Sequence, residues 1–336
     1  MNRRTFVVLL GTVTGCSALP SPDGSGEASM GTQTETPRPD ATTATETPTA
    51  APTETATRTA TEEPPPTETE TPTPTAAEER GAAALDRAEQ ALTDIVETFT
   101  AEYGSELTAV DATSVEFLSL DYELQLAFAD AQGAYTDARQ VAANAEQEQR
   151  AAWMSDCWQF LQGARKTQTE VVQGYVRLDR AREAFEAAEP DPARTAIDEL
   201  ATRRRRASTR YEQLQAESTA EAASVIGPIS VEEYQNKLAQ LDADIGIYHE
   251  LNGTLDEFAE GIKWFKLADI EFDEENRNVQ DAENKAETAE DILYDVTSDL
   301  RSIIKAADDN TTLVPMVKEL RAVALDKAET ASEMDN

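Results

Sequence analysis

With one histidine and two cysteines among 336 residues, the chain has little of the side-chain chemistry on which most metal sites and nucleophilic enzymes rest. A ferritin-like di-iron centre needs two Glu-x-x-His pairs, and the residue three positions before His249 is Gly246. A His-Glu-x-x-His zinc site needs a second histidine. A serine or cysteine nucleophile would need His249 as its base, and nothing in the sequence links His249 to Cys157. Between Tyr248 and Glu250, His249 reads as a partly exposed surface residue. No catalytic residue, cofactor or metal ligand is expected, and the reading is of a protein that is not an enzyme. Proline is missing from residue 77 until Pro190, and no alternating run of Val, Ile or Thr suggests a strand. The apolar run Phe6 to Val13 would make a helix of roughly 12 Å, too short for a hydrocarbon layer of about 30 Å.

Basic residues are also few: Lys and Arg total 29 against 65 Asp and Glu, giving a net charge of -36 and a pI near 4.2. Such acidity suits a protein that binds cations or basic partners, or one that must stay hydrated at multimolar salt. The acids lie in almost every segment and arginine outnumbers lysine more than twofold, which favours the second explanation. Near 1 M salt the Debye length is about 3 Å, so the charge says little about function. Without a basic face, nucleic acid is not an expected partner.

The first residues carry the most specific signal. Arg3-Arg4 precede the apolar run Phe6 to Leu10, which is followed by Val13-Thr14-Gly15-Cys16. Paired arginines, a short hydrophobic core and a small residue before a cysteine have the layout of a secretory signal, the pair marking the twin-arginine route, which carries folded proteins. Val13 to Cys16 looks like a lipoprotein signal box, in which the Cys16 thiolate takes a diacylglyceryl group and becomes the mature N-terminus. Two acyl chains hold where one would release. Residues 17 to 76 are almost entirely Thr, Pro, Ala, Glu, Gly and Ser and bury too little to offset their ordering entropy. As a flexible tether they would reach about 43 Å, and stiffened toward polyproline geometry up to about 190 Å. Dense threonines resemble those of O-glycosylated stalks. Signal, cysteine, stalk and acidity together resemble lipoproteins of halophilic archaea over residues 1 to about 76. The resemblance implies a signal peptide at 1–15, a lipidated Cys16 opening a disordered linker at 16–76, and placement on the extracellular face of the cell membrane, anchored by lipid.

From residue 77 apolar residues recur at steps of three and four. Leu85, Ala88, Leu92, Ile95 and Phe99 form one stripe; Phe117, Leu120, Leu124, Ala127, Ala131, Ala134, Ala138 and Val141 a second. A third runs from Met154 and Cys157 past Gln168 to Phe185, where Pro190-Asp191-Pro192 ends it. Ile197, Leu200, Ala207, Tyr211, Leu214 and Val225 follow, up to Gly227-Pro228. Ser230 and Glu233 form a capping-box pair opening a stripe from Leu238 to Phe265, whose order reverses at Asn252-Gly253 and allows a local overwinding or a bend. Val279 to Ile303 and Leu313 to Ala324 complete the series. The spacing predicts an all-α domain at 77–336: six or seven helices in an elongated antiparallel, coiled-coil-like bundle behind a disordered N-terminal stalk, with two sub-bundles, 77–226 and 229–336, as a variant. No repeat of about 34 residues supports a tetratricopeptide-like solenoid.

Other motifs are weaker. Asp242-x-Asp244 resembles the start of a calcium loop but lacks its glycine and closing glutamate. Asp308-Asp309 could bind a cation weakly, and Glu274-Glu275 and Glu232-Glu233 carry no weight as acid/base couples in so acidic a chain. If Cys16 is acylated, Cys157 has no disulfide partner within the chain and reads as a small buried hydrophobe. Arg203 to Arg206 is the one basic run, read as paired internally, with a contact to an acidic partner or lipid headgroup as the alternative; Arg204 falls on the seam and must snorkel or pair. Trp153, Trp158, Phe160, Ile262, Trp264 and Phe265 read as core packing. Asn252 and Asn310 begin glycosylation sequons. The function expected is that of a non-enzymatic surface lipoprotein whose helices bind or brace an envelope or surface-layer protein; the alternative is a small-molecule or ion-binding module of a transporter or sensor.

Overall fold

The computed structural model describes residues 73–273 and 278–335, and among these it is all-α with no strand. Arg3, Arg4, Cys16, the linker as far as residue 72, and Glu274-Glu275 lie outside the described residues. The helices are α1 (Ala76–Thr100), α2 (Asp121–Val141), α3 (Ala145–Glu186), α4 (Pro190–Glu217), a single turn α5 (Ala220–Ala223), α6 (Val231–Asp273), α7 (Val279–Ala306) and α8 (Val314–Asp335), with 3-10 turns at Leu107–Ala109 and Val115–Leu120.

The ends follow local chemistry. Thr75, the last threonine before the helical pattern, caps α1: its Oγ1 accepts from the Glu78 N–H at 3.2 Å while the Glu78 carboxylate accepts the Thr75 N–H at 2.7 Å. Asn144 caps α3 through the Gln147 N–H. At the α3–α4 turn Ala188 takes a positive φ of 54°, and Pro190 stands first in α4, where its missing N–H removes nothing. Ser230 accepts the Glu233 N–H at 3.0 Å, as the capping pair predicts, but the Glu233 carboxylate reaches across to the Leu107 N–H at 2.7 Å.

Three details differ from the sequence reading. α6 runs 43 residues without a break through Asn252-Gly253. The fourth stripe is interrupted at Ser218, so Val225 lies beyond α4 and α5. Val141 and Val279, at stripe ends, are exposed, as is Trp153, since no second helix covers them there.

Successive helices pack on one another, α1 on α2, α3 on α4, α6 on α7 and α7 on α8, while α3 also meets α1, α2, α6 and α8, and α4 meets α6. Most of the core follows the predicted stripes and is rich in alanine (Ala88, Ala131, Ala164, Ala181, Ala207, Ala289), but Leu120, Ala127, Ala134 and Leu238 are only half-buried, while Phe128 and Tyr135, off the predicted second stripe, are buried. Small residues set the close crossings: a Cβ at Gly174 of α3 would stand 2.8 Å from the Tyr248 ring of α6. Phe185 and Phe258 stack with centroids 3.9 Å apart, and Phe99 meets Phe117 edge-on at 4.9 Å. Ile262, Phe265 and Phe160 are buried as expected, with Trp158 and Trp264 half-buried. Cys157 is buried, its thiol pushed up to about 12 by desolvation.

Candidate functional site

Two clusters of polar side chains stand apart from ordinary helix surface: one inside the fold, the other on α4. The inner one is built on the seam of α6. Lys237 and Asp244 are seven residues apart, so they lie on one face, two turns from each other, and are 0% and 1% exposed. The Lys237 ammonium donates to Val110 O at 2.5 Å, Gln168 Oε1 at 2.7 Å and Gln240 Oε1 at 2.8 Å, with the Phe99 ring 5.8 Å away. Gln168 donates on to Asp111 O and Gln240 to Thr108 O. Asp244 accepts the Thr312 N–H at 2.7 Å and the hydroxyls of Thr311 and Thr312 at 2.9 and 3.0 Å. The Thr312 hydroxyl also accepts the Ala112 N–H at 3.3 Å, which joins the two loops.

Burial governs the protonation of both groups. Desolvation pulls the Lys237 ammonium down to about 7, opposed by the Asp244 and Asp111 carboxylates. It pushes Asp244 up to about 6 against the Thr312 N–H, the two hydroxyls and Lys237. A neutral amine has two N–H groups and cannot serve three acceptors, so the charged form fits the observed bonding. Chemically the cluster is a cross-link: it ties the segments 101–114 and 307–313, where Thr108 O, Val110 O, Asp111 O, and the N–H groups of Ala112 and Thr312 take side-chain partners, to α3 and α6. Glu170, also buried, receives Arg203 at 3.1 Å and Arg210 at 2.9 Å, joining α3 to α4.

Lys237 and Gln240 carry no motif that singles them out in the sequence, and Gln168 stands out only as an interruption of a stripe. The available signal was spacing, because Lys237 and Asp244 fall on the seven-residue register continued by Leu251, Phe258 and Phe265. Of the Asp242-x-Asp244 pair, Asp242 is exposed while Asp244 points inward. His249 is exposed, with Nε2 3.4 Å from Ser208 Oγ. Exposed Asp308 holds the N–H and side-chain amide of Asn310, which lowers its pKa. No group of three metal-ligating side chains occurs among the described residues. Of the sequons, Asn252 is half-buried inside α6, whereas Asn310 is exposed in the 307–313 loop.

The outer cluster answers the question posed by Arg203 to Arg206, and it revises the expected pairing. Arg203 meets Glu170, as does Arg210 one helical stretch further on. Half-buried Arg204 has its Nε without a hydrogen-bond partner. Exposed Arg205 and Arg206 have no carboxylate within ion-pair distance among the described residues, and Arg205 touches only Thr202 Oγ1, at 3.3 Å. Internal pairing thus accounts for one of the four. Four consecutive residues point all around a helix, so a single buried acid on α3 reaches only the one facing it. Arg205, Arg206 and Arg210 line a shallow depression of about 390 Å³ with Thr202, Thr209 and Gln213. A second depression shares Arg210 and Gln213 with it and adds Lys166 of α3 together with one carboxylate, Glu217. The Lys166 ammonium is held below its usual range by partial burial and by the neighbouring charges of Arg165 and Arg210. This face is therefore locally positive in a strongly acidic chain.

No family model, curated protein or solved structure matches the chain. No helix among the described residues is long and apolar enough to cross a membrane.

Proposed function

We propose that the protein is a non-enzymatic lipoprotein on the extracellular face of the cell membrane, exported by the twin-arginine route and anchored through Cys16. Its Thr/Pro/Glu-rich linker carries an elongated antiparallel, coiled-coil-like bundle that binds or braces another envelope or surface-layer component. One observation carries the binding role: Lys237, Asp244 and Glu170 serve inside the fold as ties between segments, while Arg205 and Arg206 of α4 face solvent with no carboxylate within ion-pair distance among the described residues. Buried charges that tie segments together are suited to rigidity, and exposed unpaired charge is suited to contact. Pull-down of the tagged full chain from solubilised envelope at native salt tests it. A reproducible partner is expected; recovery of none overturns the role. For the anchor, mass analysis should find a chain beginning at acylated Cys16, and an unmodified thiol behind an intact residues 1–15 would refute it.

A second reading, a small-molecule module of a transporter or sensor, is favoured by one recess of about 200 Å³ lined by Phe117, Leu118, Leu124, Arg165, Thr169 and Gln173. Two buried atoms on its lining residues, Arg165 Nε and Gln173 Oε1, lack hydrogen-bond partners. A thermal-shift screen separates the readings, since a specific ligand raises Tm in proportion to its occupancy.

A further inference from the structure

The cations of α4 define a partner more narrowly than the word binding does. Thr202 to Gln213 spans eleven residue steps, about 16 Å of helix, the length of roughly five residues of extended peptide. Along it Arg205 and Arg206 are exposed and Arg210 is half-exposed, with Lys166 of α3 adjoining. Among the described residues the only carboxylate bound to the arginines of this strip is Glu170, which meets Arg203 and Arg210 together; against exposed Glu212 in the same stretch, Arg204, Arg205 and Arg206 leave positive charge. The hydroxyls of Thr202 and Thr209 donate to carbonyls of their own helix, Asp198 O at 3.1 Å and Arg205 O at 3.0 Å. Guanidinium groups are therefore the main free donors, and their planar fork matches a carboxylate bidentately.

We propose that the α4 strip from Thr202 to Gln213, with Lys166 beside it, is a docking face for an acidic protein segment carrying closely spaced Asp or Glu side chains. The proposal names the partner chemistry of the binding role above and rests on that reading. A narrow segment can touch the strip alone. An anionic bilayer is a plane, and seating it here would also bring headgroups against the acidic remainder of a chain of net charge -36. That same charge repels an acidic segment at a distance, but near 1 M salt the Debye length is about 3 Å, which removes the long-range repulsion while contact pairs persist in part.

The test uses the full chain near 1 M salt, a fluorescent poly-glutamate peptide as probe and anisotropy as readout. Arg205→Ala/Arg206→Ala is compared with Arg301→Ala/Lys305→Ala, an equal charge change at exposed positions of α7. All four side chains are exposed, so circular dichroism should show unchanged helicity in both variants. The expected result is binding by wild type, weakened about tenfold by the α4 pair and unchanged by the α7 pair. No binding, equal losses in both variants, or binding to phosphatidylglycerol vesicles in place of the peptide would overturn the proposal. The envelope pull-down keeps the two readings distinct. Equal recovery of a partner by wild type and the α4 variant sinks the docking face and leaves the binding role. Peptide binding that depends on Arg205 and Arg206, with nothing recovered from envelope, sinks the role and leaves the face.

Discussion

The two halves of α6 use one register in opposite ways. At one heptad position the first half carries Lys237 and Asp244, set among buried Leu241, Ile245 and Tyr248; the second, at the same spacing, carries Leu251, Phe258 and Phe265. The second half meets other helices, with Phe258 stacked on Phe185 of α3 and Gly261 against Leu293 of α7. Helices satisfy their own backbone groups, so apolar contact suffices there. The first half meets α3 as well, but also the segments 101–114 and 307–313, several of whose carbonyls and N–H groups take side-chain partners. A seam can hold a buried charge where irregular chain offers backbone groups; between two helices the partner must be a polar or charged side chain, as Arg203 and Arg210 of α4 are for Glu170 of α3.

The largest effect expected from this contrast is at Phe258. Phe258→Ala should lower stability by about 4 kcal/mol through lost burial and a cavity, measured by denaturant unfolding. Lys237→Met should come next, at about 3 kcal/mol, because three buried acceptors lose their donor. Hydrogen exchange should place that loss mainly in residues 101–114; a uniform change across α6 would break the comparison. Asp244→Asn should be smaller, about 1–2 kcal/mol, because an amide oxygen still accepts some of the threonine bonds.

Asp244 and Lys237 also carry opposite pH signatures. The folded carboxyl near 6 holds a proton that the unfolded chain, near 3.8, has released, so this contribution is present below about pH 4 and is lost as pH rises through about 6. The folded ammonium near 7 has lost a proton that the unfolded chain keeps until about 10.5, so its contribution is present above that value and lost as pH falls through about 7. The difference between wild-type and Asp244→Asn unfolding free energies should fall from pH 4 to 6, and the difference from Lys237→Met should rise from pH 7 to 10. Slopes of the reverse sign would refute the assignment. The smallest effect is at Gly253, where an added Cβ meets nothing within 4 Å: Gly253→Ala should stabilise unbroken α6 by about 0.5–1 kcal/mol.

Much of the helical layout was legible because each stripe repeats one local rule many times. Leu85 to Phe99, Leu293 to Ile303 and Leu313 to Ala324 lie buried where the three-four spacing places them. The irregularity at Asn252-Gly253 was not decidable, since a single reversed step alters no backbone bond, and α6 continues through it. The break at Ser218 was missed for a related reason: Ser218 gives its hydroxyl to Leu214 O and meets Tyr234 Oη, a residue sixteen positions away. Of the inner cluster only Asp244 and Gln168 were noticed, and neither for its role, because their partners lie 57 to 69 residues off in sequence. Arg203 to Arg206 stood out as a run, but which of them Glu170 would neutralise was invisible.

The sequence by itself determined that this is a helical chain with an acidic surface, a proline-free helical stretch and a single run of arginines, because periodicity and composition act between near neighbours. Only the tertiary structure decided that Lys237 and Asp244 close two loops onto one helix, and that Arg205 and Arg206 are left facing solvent. Those outcomes depend on which distant segment arrives within hydrogen-bond reach, and no residue carries that information alone.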